Sequence, residues 1–491
     1  MAMGKRSDEP VQGELFVTSA DLPQSLGHPF YVKLNHLLAE AGFDGFVESH
    51  CAKFYDAGVA GGRPGIPPGT YFRMLFVGYF EGIDSQRGIA WRCADSLSLR
   101  EFLGLAWRET SPDHSSLTKI RRRLDQGVHD AVFAWVLALC AEKKLLTDLT
   151  AVGVDSTTLE ANAAMRSIVR TDSKQTYREY VKGLMQAEGK AEASGESPPP
   201  DSGPSPEPTV AEMIRFDRDR QGKTCSNADW ESPADPDAKI ARMKDGTTHL
   251  AYKAEHVVDL KSEVILAAEI YPANQSDTQT LTDSVVTARC HLTRAGLADV
   301  SVEAAAADKG YHAREQLALA AHFGVRTYVA EPDRPHPNRW VGVPAEQKDA
   351  VYANRRRGKG ARGKALQRLR SEKTERSFAH VCETGGSRRT WLRGFAKVRK
   401  RYLMAAAARN LGLLMRKVFG VGKPRVLQPE GPAAGGSKGD GGGPGGGGKH
   451  GPGDGPQSPE TFLRQLIRRL RSRILPDGAD YARPACCPAV A

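Results

Sequence analysis

No stretch of the 491 residues stays apolar for the ~18 positions a membrane-spanning helix needs, so no span is expected. The first twelve residues are polar and charged, without the apolar core of an export signal. Cysteine is scarce and badly spaced for chemistry. Cys51, Cys93, Cys140, Cys225, Cys290 and Cys382 stand singly, and only Cys486 and Cys487 adjoin. None forms a CxxC pair, which excludes the usual zinc sites and disulfide frameworks. No Walker A loop is present, because the glycine-rich stretch at 431–455 has no following GK[ST]. Nor is there an internal repeat.

What is present is enough apolar residue for a core, 40%, in a length that allows two or three domains at roughly 100–200 residues each. The formal net charge of +11 points to a polyanionic partner. That charge is concentrated. Residues 355–401 hold seventeen Lys or Arg against three Glu, a local excess larger than that of the whole chain, so the remainder is close to neutral.

Along the chain, residues 1–28 read as a loose leader and 29–147 as an all-helical domain. Its segment at 70–80 is apolar nearly all round, as a buried helix is. Ser111-Pro-Asp-His-Ser-Ser116 reads as a helix start, followed at once by Arg121, Arg122 and Arg123. The texture changes at residue 148. A short β-prone run ends at Asp155, a hairpin occupies 249–259 and 263–270, and a helix follows at about 277–292. A strand-like run then ends before Asp308, and a helix at 313–323 leads to a short strand at 325–330. This alternation predicts an α/β domain with a mixed sheet over 148–420, interrupted by an insertion at about 160–245 that is disordered at about 188–209. Residues 421–459 read as a glycine-rich linker and 460–491 as a basic tail.

Asp155 and Asp308 each close an apolar strand, where an unpaired acid costs desolvation and where open α/β sheets place their sites. If those strands are parallel neighbours, the two carboxylates converge. A hard cation such as Mg²⁺ takes carboxylate oxygens together with a substrate phosphate, and that chemistry asks for a third acid. Glu372 and Glu375 are both candidates, and spacing does not choose between them. Asp259 reads as a hairpin turn residue; Glu255 lies mid-strand, either behind the site or on the surface.

The blocks Val152-Gly-Val-Asp-Ser-Thr-Thr158, Ala307-Asp-Lys-Gly-Tyr-His312 and Glu375-Arg-Ser-Phe-Ala-His-Val-Cys-Glu-Thr-Gly-Gly-Ser-Arg-Arg-Thr390 resemble, in that order, the three catalytic blocks of DDE transposases from bacterial insertion sequences. The helical region is similar to the N-terminal domain of the same proteins through residues 71–82 and 111–117. The resemblance implies an RNase H-like catalytic fold behind a helical DNA-binding domain. It further implies a divalent-metal site for Mg²⁺, with Mn²⁺ able to substitute. It assigns Asp155, Asp308 and Glu375 as catalytic and metal-binding acids, favouring Glu375 over Glu372. The chain departs from the pattern in having Arg370 five residues before the Glu and a cysteine, Cys382, seven after it. DNA ends and target DNA are the implied partners, with a homo-oligomer at synapsis and a cytoplasmic, nucleoid-associated setting. Arg370, Arg376, Arg388, Arg389, Arg393, Lys397, Arg121 and Arg122 are the expected DNA contacts, against the plainer expectation of a solvated basic surface. The alternatives to an active transposase are a catalytically silent DNA-binding protein on the same scaffold and another RNase H-like nuclease.

Overall fold

The computed structural model describes residues 27–55, 65–106, 109–193, 208–221, 226–243, 246–300, 302–333 and 340–424. These belong to one unit that ends at residue 427. The leader up to residue 26, residues 194–207 of the insertion, and the linker and basic tail from residue 425 lie outside the described residues.

The first third is helical, with α1 (Pro29–Glu40), α2 (Phe43–Cys51), α3 (Pro68–Glu81), α4 (Gln86–Asp95), α5 (Leu97–Phe102), α6 (His114–Arg123) and α7 (Gln126–Glu142). α3 is apolar on almost every side, and residues 69–80 are all buried at the centre of the group. Its one buried charge, Arg73, is tolerated there because it is fully paired: Asp44 at 2.7 Å, the Asn35 side chain at 2.7 Å and the Phe102 carbonyl at 3.1 Å. Asp113 caps α6, accepting from the Ser116 amide at 2.7 Å, and Asp125 caps α7 from the Val128 amide at 2.9 Å. The second cap starts α7 six residues before the expected apolar run at 132–139.

The mixed sheet is built on β1 (Ala151–Glu160). The insertion after it contains β2 (Val169–Arg170), α8 (Tyr177–Ala193), α9 (Val210–Asp219) and β3 (Trp230–Glu231), so α8 runs into the stretch expected to be disordered. β4 (Lys239–Arg242) and the hairpin β5 (Thr248–Asp259) and β6 (Ile265–Pro272) follow, then α10 (Leu281–Arg294), β7 (Ala304–Ala307), α11 (Arg314–His322) and β8 (Arg326–Val329). α12 (Ala345–Lys359), α13 (Ala361–Phe378) and α14 (Phe395–Phe419) complete the described elements. β5 lies antiparallel to β1 on one side, with β4 and β6 on its outer edge, while β7 and then β8 run parallel to β1 on the other. The hairpin turn is held as expected by Asp259, which accepts from the amides of Lys261 (3.3 Å) and Ser262 (2.7 Å).

α13 covers one face of the sheet and α10 the other. α14 is buried from Tyr402 to Met415 between the helical group and β6, so one continuous core serves both halves. The outer strands are clamped by asparagines. Asn410 of α14 bonds both the amide (2.9 Å) and the carbonyl (2.7 Å) of Ile265 in β6. Asn354 of α12 does the same to Val329 in β8, at 2.9 and 2.8 Å.

Candidate active site

β1 does not stop at Asp155. Its antiparallel partner β5 carries it on to Glu160, so the acid lies mid-strand, opposite His256. The parallel ladder with β7 is short, joining Ala151, Val152 and Gly153 to Ala304, Ala305 and Ala306. Continued two residues, the same register sets Asp155 level with Asp308. The expected adjacency of the two strands is therefore present.

Asp155 faces α13. One oxygen accepts from the Arg370 guanidinium (3.0 Å) and the Thr374 hydroxyl (3.0 Å), and the other from the Ser156 amide (2.9 Å). Burial raises its pKa against the pull of Arg370, and the nearby charge of Asp308 pushes the same way. The helix can lie this close because position 153 is glycine. A Cβ there would come within 2.9 Å of Leu260, 3.0 Å of Thr374 and 3.2 Å of Arg370. Three residues along α13 from Thr374, Ser377 donates its proton to the Thr374 carbonyl (2.7 Å) and so accepts from His256 Nδ1 (2.8 Å). His256 Nε2 then accepts from Tyr402 (2.9 Å), and burial keeps the ring neutral, its pKa down at about 3.

The face towards α10 holds a second polar group. Asp308 caps the short turn Lys309–Tyr311, accepting from the Gly310 amide at 2.8 Å. Against that turn lies Asp277, at the start of the single turn Asp277–Gln279. Its Oδ1 accepts from the Ser156 hydroxyl (2.9 Å) and from Lys253 (2.9 Å). Lys253 is buried and also donates to Thr280 (3.0 Å). Glu255 is fully buried rather than on the surface, and accepts from Thr280 (2.6 Å) and Tyr311 (2.9 Å). Burial raises its pKa, while Lys253, 3.5 Å away, pulls it down. Sequence reasoning missed Asp277 and Lys253. The only local sign was an acid at the start of an expected helix, which is also the commonest capping pattern.

Glu375 is exposed on α13 and accepts from Ser371 at 3.1 Å. At about 100° per residue it is one step round from Thr374, on the side where Gln367 reaches the carbonyls of Ala307 and Tyr328 in β7 and β8. Glu372 projects from the far side, tied to Arg376 (2.7 Å) and Lys373 (3.5 Å). The turn Ala379–Thr384 after α13 is a π-turn, a form common beside functional groups.

The chain then returns along the end of β1. Arg388 bonds the Thr157 hydroxyl (3.0 Å) and Thr158 carbonyl (3.2 Å). Arg389 lies 3.5 Å from Glu160 and over the Trp391 ring, and Arg393 bonds the Asn162 carbonyl (3.1 Å). Arg389, Arg393 and Lys397 are exposed. Two of the expected DNA contacts stand elsewhere. Arg370 is drawn inward by the buried carboxylate of Asp155. Arg121 is buried, bonded to Gln86 at 3.3 Å and roofed by Lys400, because α14 packs on that side of α6; Arg122 beside it is exposed. Arg376 bridges Glu263 (3.0 Å) and Glu372.

Asp155 and Asp308 supply the hard oxygen donors a divalent ion takes, and their mutual repulsion is what such an ion relieves. Among the described residues, no three acids, histidines or cysteines stand close enough together to enclose one, so Glu375 is not brought into contact with the pair. No helix among the described residues is long and apolar enough to cross a membrane.

The sequence matches two family models, a transposase domain (DUF772) over residues 20–123 and a transposase DDE domain over residues 333–415. The first spans most of the helical group; the second spans α12, α13 and nearly all of α14, with Arg370, Glu372, Glu375 and the basic return segment. No curated protein and no solved structure matches the chain. Both models are of transposase domains, and together they support an insertion-sequence DDE transposase.

Proposed function

We propose that the protein is a DNA transposase that cuts at the ends of a mobile element and joins them to target DNA, with Asp155, Asp308 and Glu375 as its acidic triad. The observation that carries this reading is Asp155 on β1, held by a helix of the matched DDE segment, with Asp308 directly beyond the end of the adjacent parallel strand β7. The order of the strands, an antiparallel hairpin on one side of β1 and two parallel strands on the other, supports an RNase H-like reading of the mixed sheet. The helical group, with residues 29–147, is the DNA-binding domain of this reading, and residues 148–420 are the catalytic domain.

Asp155 and Asp308 would hold Mg²⁺ or Mn²⁺, and Glu375, which stands apart from them in this structure, would have to approach to complete the set; the ion would supply charge neutralisation to the phosphoryl group under attack. Arg370 and Thr374 fix the rotamer of Asp155 through one of its oxygens. Arg389, Arg393 and Lys397, with Arg388 behind them, form a basic edge beside the acids along which a phosphate backbone can lie. Cutting adds water across one phosphodiester bond: the water oxygen bonds to phosphorus as the 3′ oxygen leaves, giving a 3′ hydroxyl and a 5′ phosphate. Joining then forms a new phosphodiester as one in the target breaks, so no nucleotide energy source is required. Positioning and charge carry the catalysis, and synapsis of two ends calls for a dimer or larger assembly.

The test is strand cleavage of labelled DNA bearing the element's own ends, with Mg²⁺ or Mn²⁺. The wild type is compared with Asp155→Asn, Asp308→Asn, Glu372→Gln and Glu375→Gln. The expected result is cutting by wild type and Glu372→Gln alone, with DNA binding retained by all. Binding without cutting by the wild type would leave a silent DNA-binding protein. Preference for an RNA–DNA hybrid over the element's ends would make it a different nuclease.

A further inference from the structure

The ladder between β1 and β7 ends at Gly153 and Ala306, two residues short of both acids. Main-chain pairing therefore does not fix Asp308 relative to Asp155. What spans the gap is a set of side chains on the α10 face. Ser156, next to Asp155, donates to Asp277 Oδ1 at 2.9 Å. Asp277 Oδ2 lies 3.2 Å from the point a Cβ on Gly310 would occupy, and Asp308 Oδ1 lies 3.0 Å from that same point. Asp277 thus holds the strand that carries one acid and packs against the turn that carries the other. Tyr311, which ends that turn, is fully buried and donates to Glu255 at 2.9 Å, on the strand paired with β1.

This arrangement places Asp277 and Glu255 near Asp155 and Asp308, a concentration of negative charge that needs a cation. Lys253 provides it on this face. It is 5% exposed, 2.9 Å from Asp277 and 3.5 Å from Glu255. Arg370 is the cation on the opposite face, at Asp155.

We propose that Asp277, locked by the buried Lys253, is a positioning residue that sets the spacing between Asp155 and Asp308. It acts through Ser156 and the Gly310 turn and does not itself touch the DNA. The proposal deepens the acidic-site reading and rests on it. A purely structural ion pair would, when broken, lower the melting temperature and leave the affinity of folded protein for a divalent or trivalent cation unchanged. A positioning pair would weaken that affinity in molecules that still fold.

The full-length protein is titrated with Tb³⁺ by luminescence and with Mn²⁺ in the cleavage assay, and melting is followed in parallel. Asp277→Asn is expected to raise the half-saturating Tb³⁺ and Mn²⁺ concentrations about tenfold. Asp277→Glu should recover part of the loss, and end binding should be unchanged. Ser156→Ala removes one hydrogen bond with little change of volume. It should shift both curves the same way by about threefold, which keeps the test open if Asp277→Asn does not fold. Curves that match wild type in Ser156→Ala and in folded Asp277→Asn, whatever the melting temperature, overturn the proposal. An Asp155→Asn protein that binds Tb³⁺ and cuts like wild type overturns the acidic-site reading, and this proposal falls with it.

Discussion

At the scale of single residues, two glutamates three positions apart have opposite surroundings. Glu372 is neutralised by Arg376 and Lys373, whereas Glu375 is exposed with the Ser371 hydroxyl as its partner and no cation within ion-pair distance among the described residues. Glu375→Gln is therefore expected to reduce cleavage at least about 100-fold, a loss of roughly 3 kcal/mol in transition-state stabilisation. Glu372→Gln should stay within a few fold in the same assay. A third glutamate, Glu263 in the hairpin turn, gathers Lys373 (2.9 Å), Arg376 (3.0 Å) and Lys417 (3.4 Å). Burial opposes its ionisation, but the Lys373 hydrogen bond and the surrounding cations outweigh it and bring the carboxyl down from 4.5 to about 2. A depressed folded-state pKa gives stability that is present above the unfolded value and lost as the pH falls through the folded one. Arg376 and Lys417 are more than a third exposed, so solvent screens part of the effect. Glu263→Gln should cost about 2 kcal/mol at pH 7. Denaturant melts from pH 7 downward should show the gap to wild type closing between about 4.5 and about 2. A gap that does not narrow with pH would mean packing rather than charge.

At the scale of elements, the contact between α13 and β1 depends on the missing side chain at position 153. Gly153→Ala must displace Leu260, Thr374 or Arg370, and overpacking of this kind costs about 1–3 kcal/mol. Because Thr374 and Arg370 also hold Asp155, cleavage per folded molecule should fall together with stability. A variant that melts early but cuts at the wild-type rate would separate the helix contact from the chemistry. These elements differ in how far the sequence revealed them. The β5–β6 hairpin was legible because its alternation and its turn are local, as was α3, apolar all round. The end of β1 was not, because residues 156–160 are polar apart from Leu159 and are held in the strand by a partner some ninety residues away. Arg121 looked like part of a charged face, and only α14, 279 residues further on, covers it. Asp277 meets Ser156 across 121 residues, a separation that no local pattern reports. The two strand acids could be named from the sequence because an acid next to an apolar run is a local anomaly.

At the scale of the whole molecule, α14 packs against both the helical group and the sheet, so on the proposed reading DNA binding by one and cutting by the other would take place on one body. The exposed cations of the return segment should act as phosphate contacts. Each of Arg389→Ala, Arg393→Ala and Lys397→Ala is expected to lower the slope of log affinity against log salt by about 1, evenly across DNA sequences. Arg121→Ala should leave that slope unchanged and lower the melting temperature instead, since its guanidinium is buried. A slope that responds to Arg121 and not to the return segment would move the DNA path to the helical group.

The clamps of Asn410 on Ile265 and Asn354 on Val329 have a bearing on assembly. A bare outer strand invites a neighbour to continue the sheet. Here one residue on β6 and one on β8 already has both of its main-chain groups engaged from within the same chain. Two copies brought together at paired DNA ends would find these edge positions already taken, which disfavours joining sheet to sheet there and leaves recognition to side chains or to the DNA.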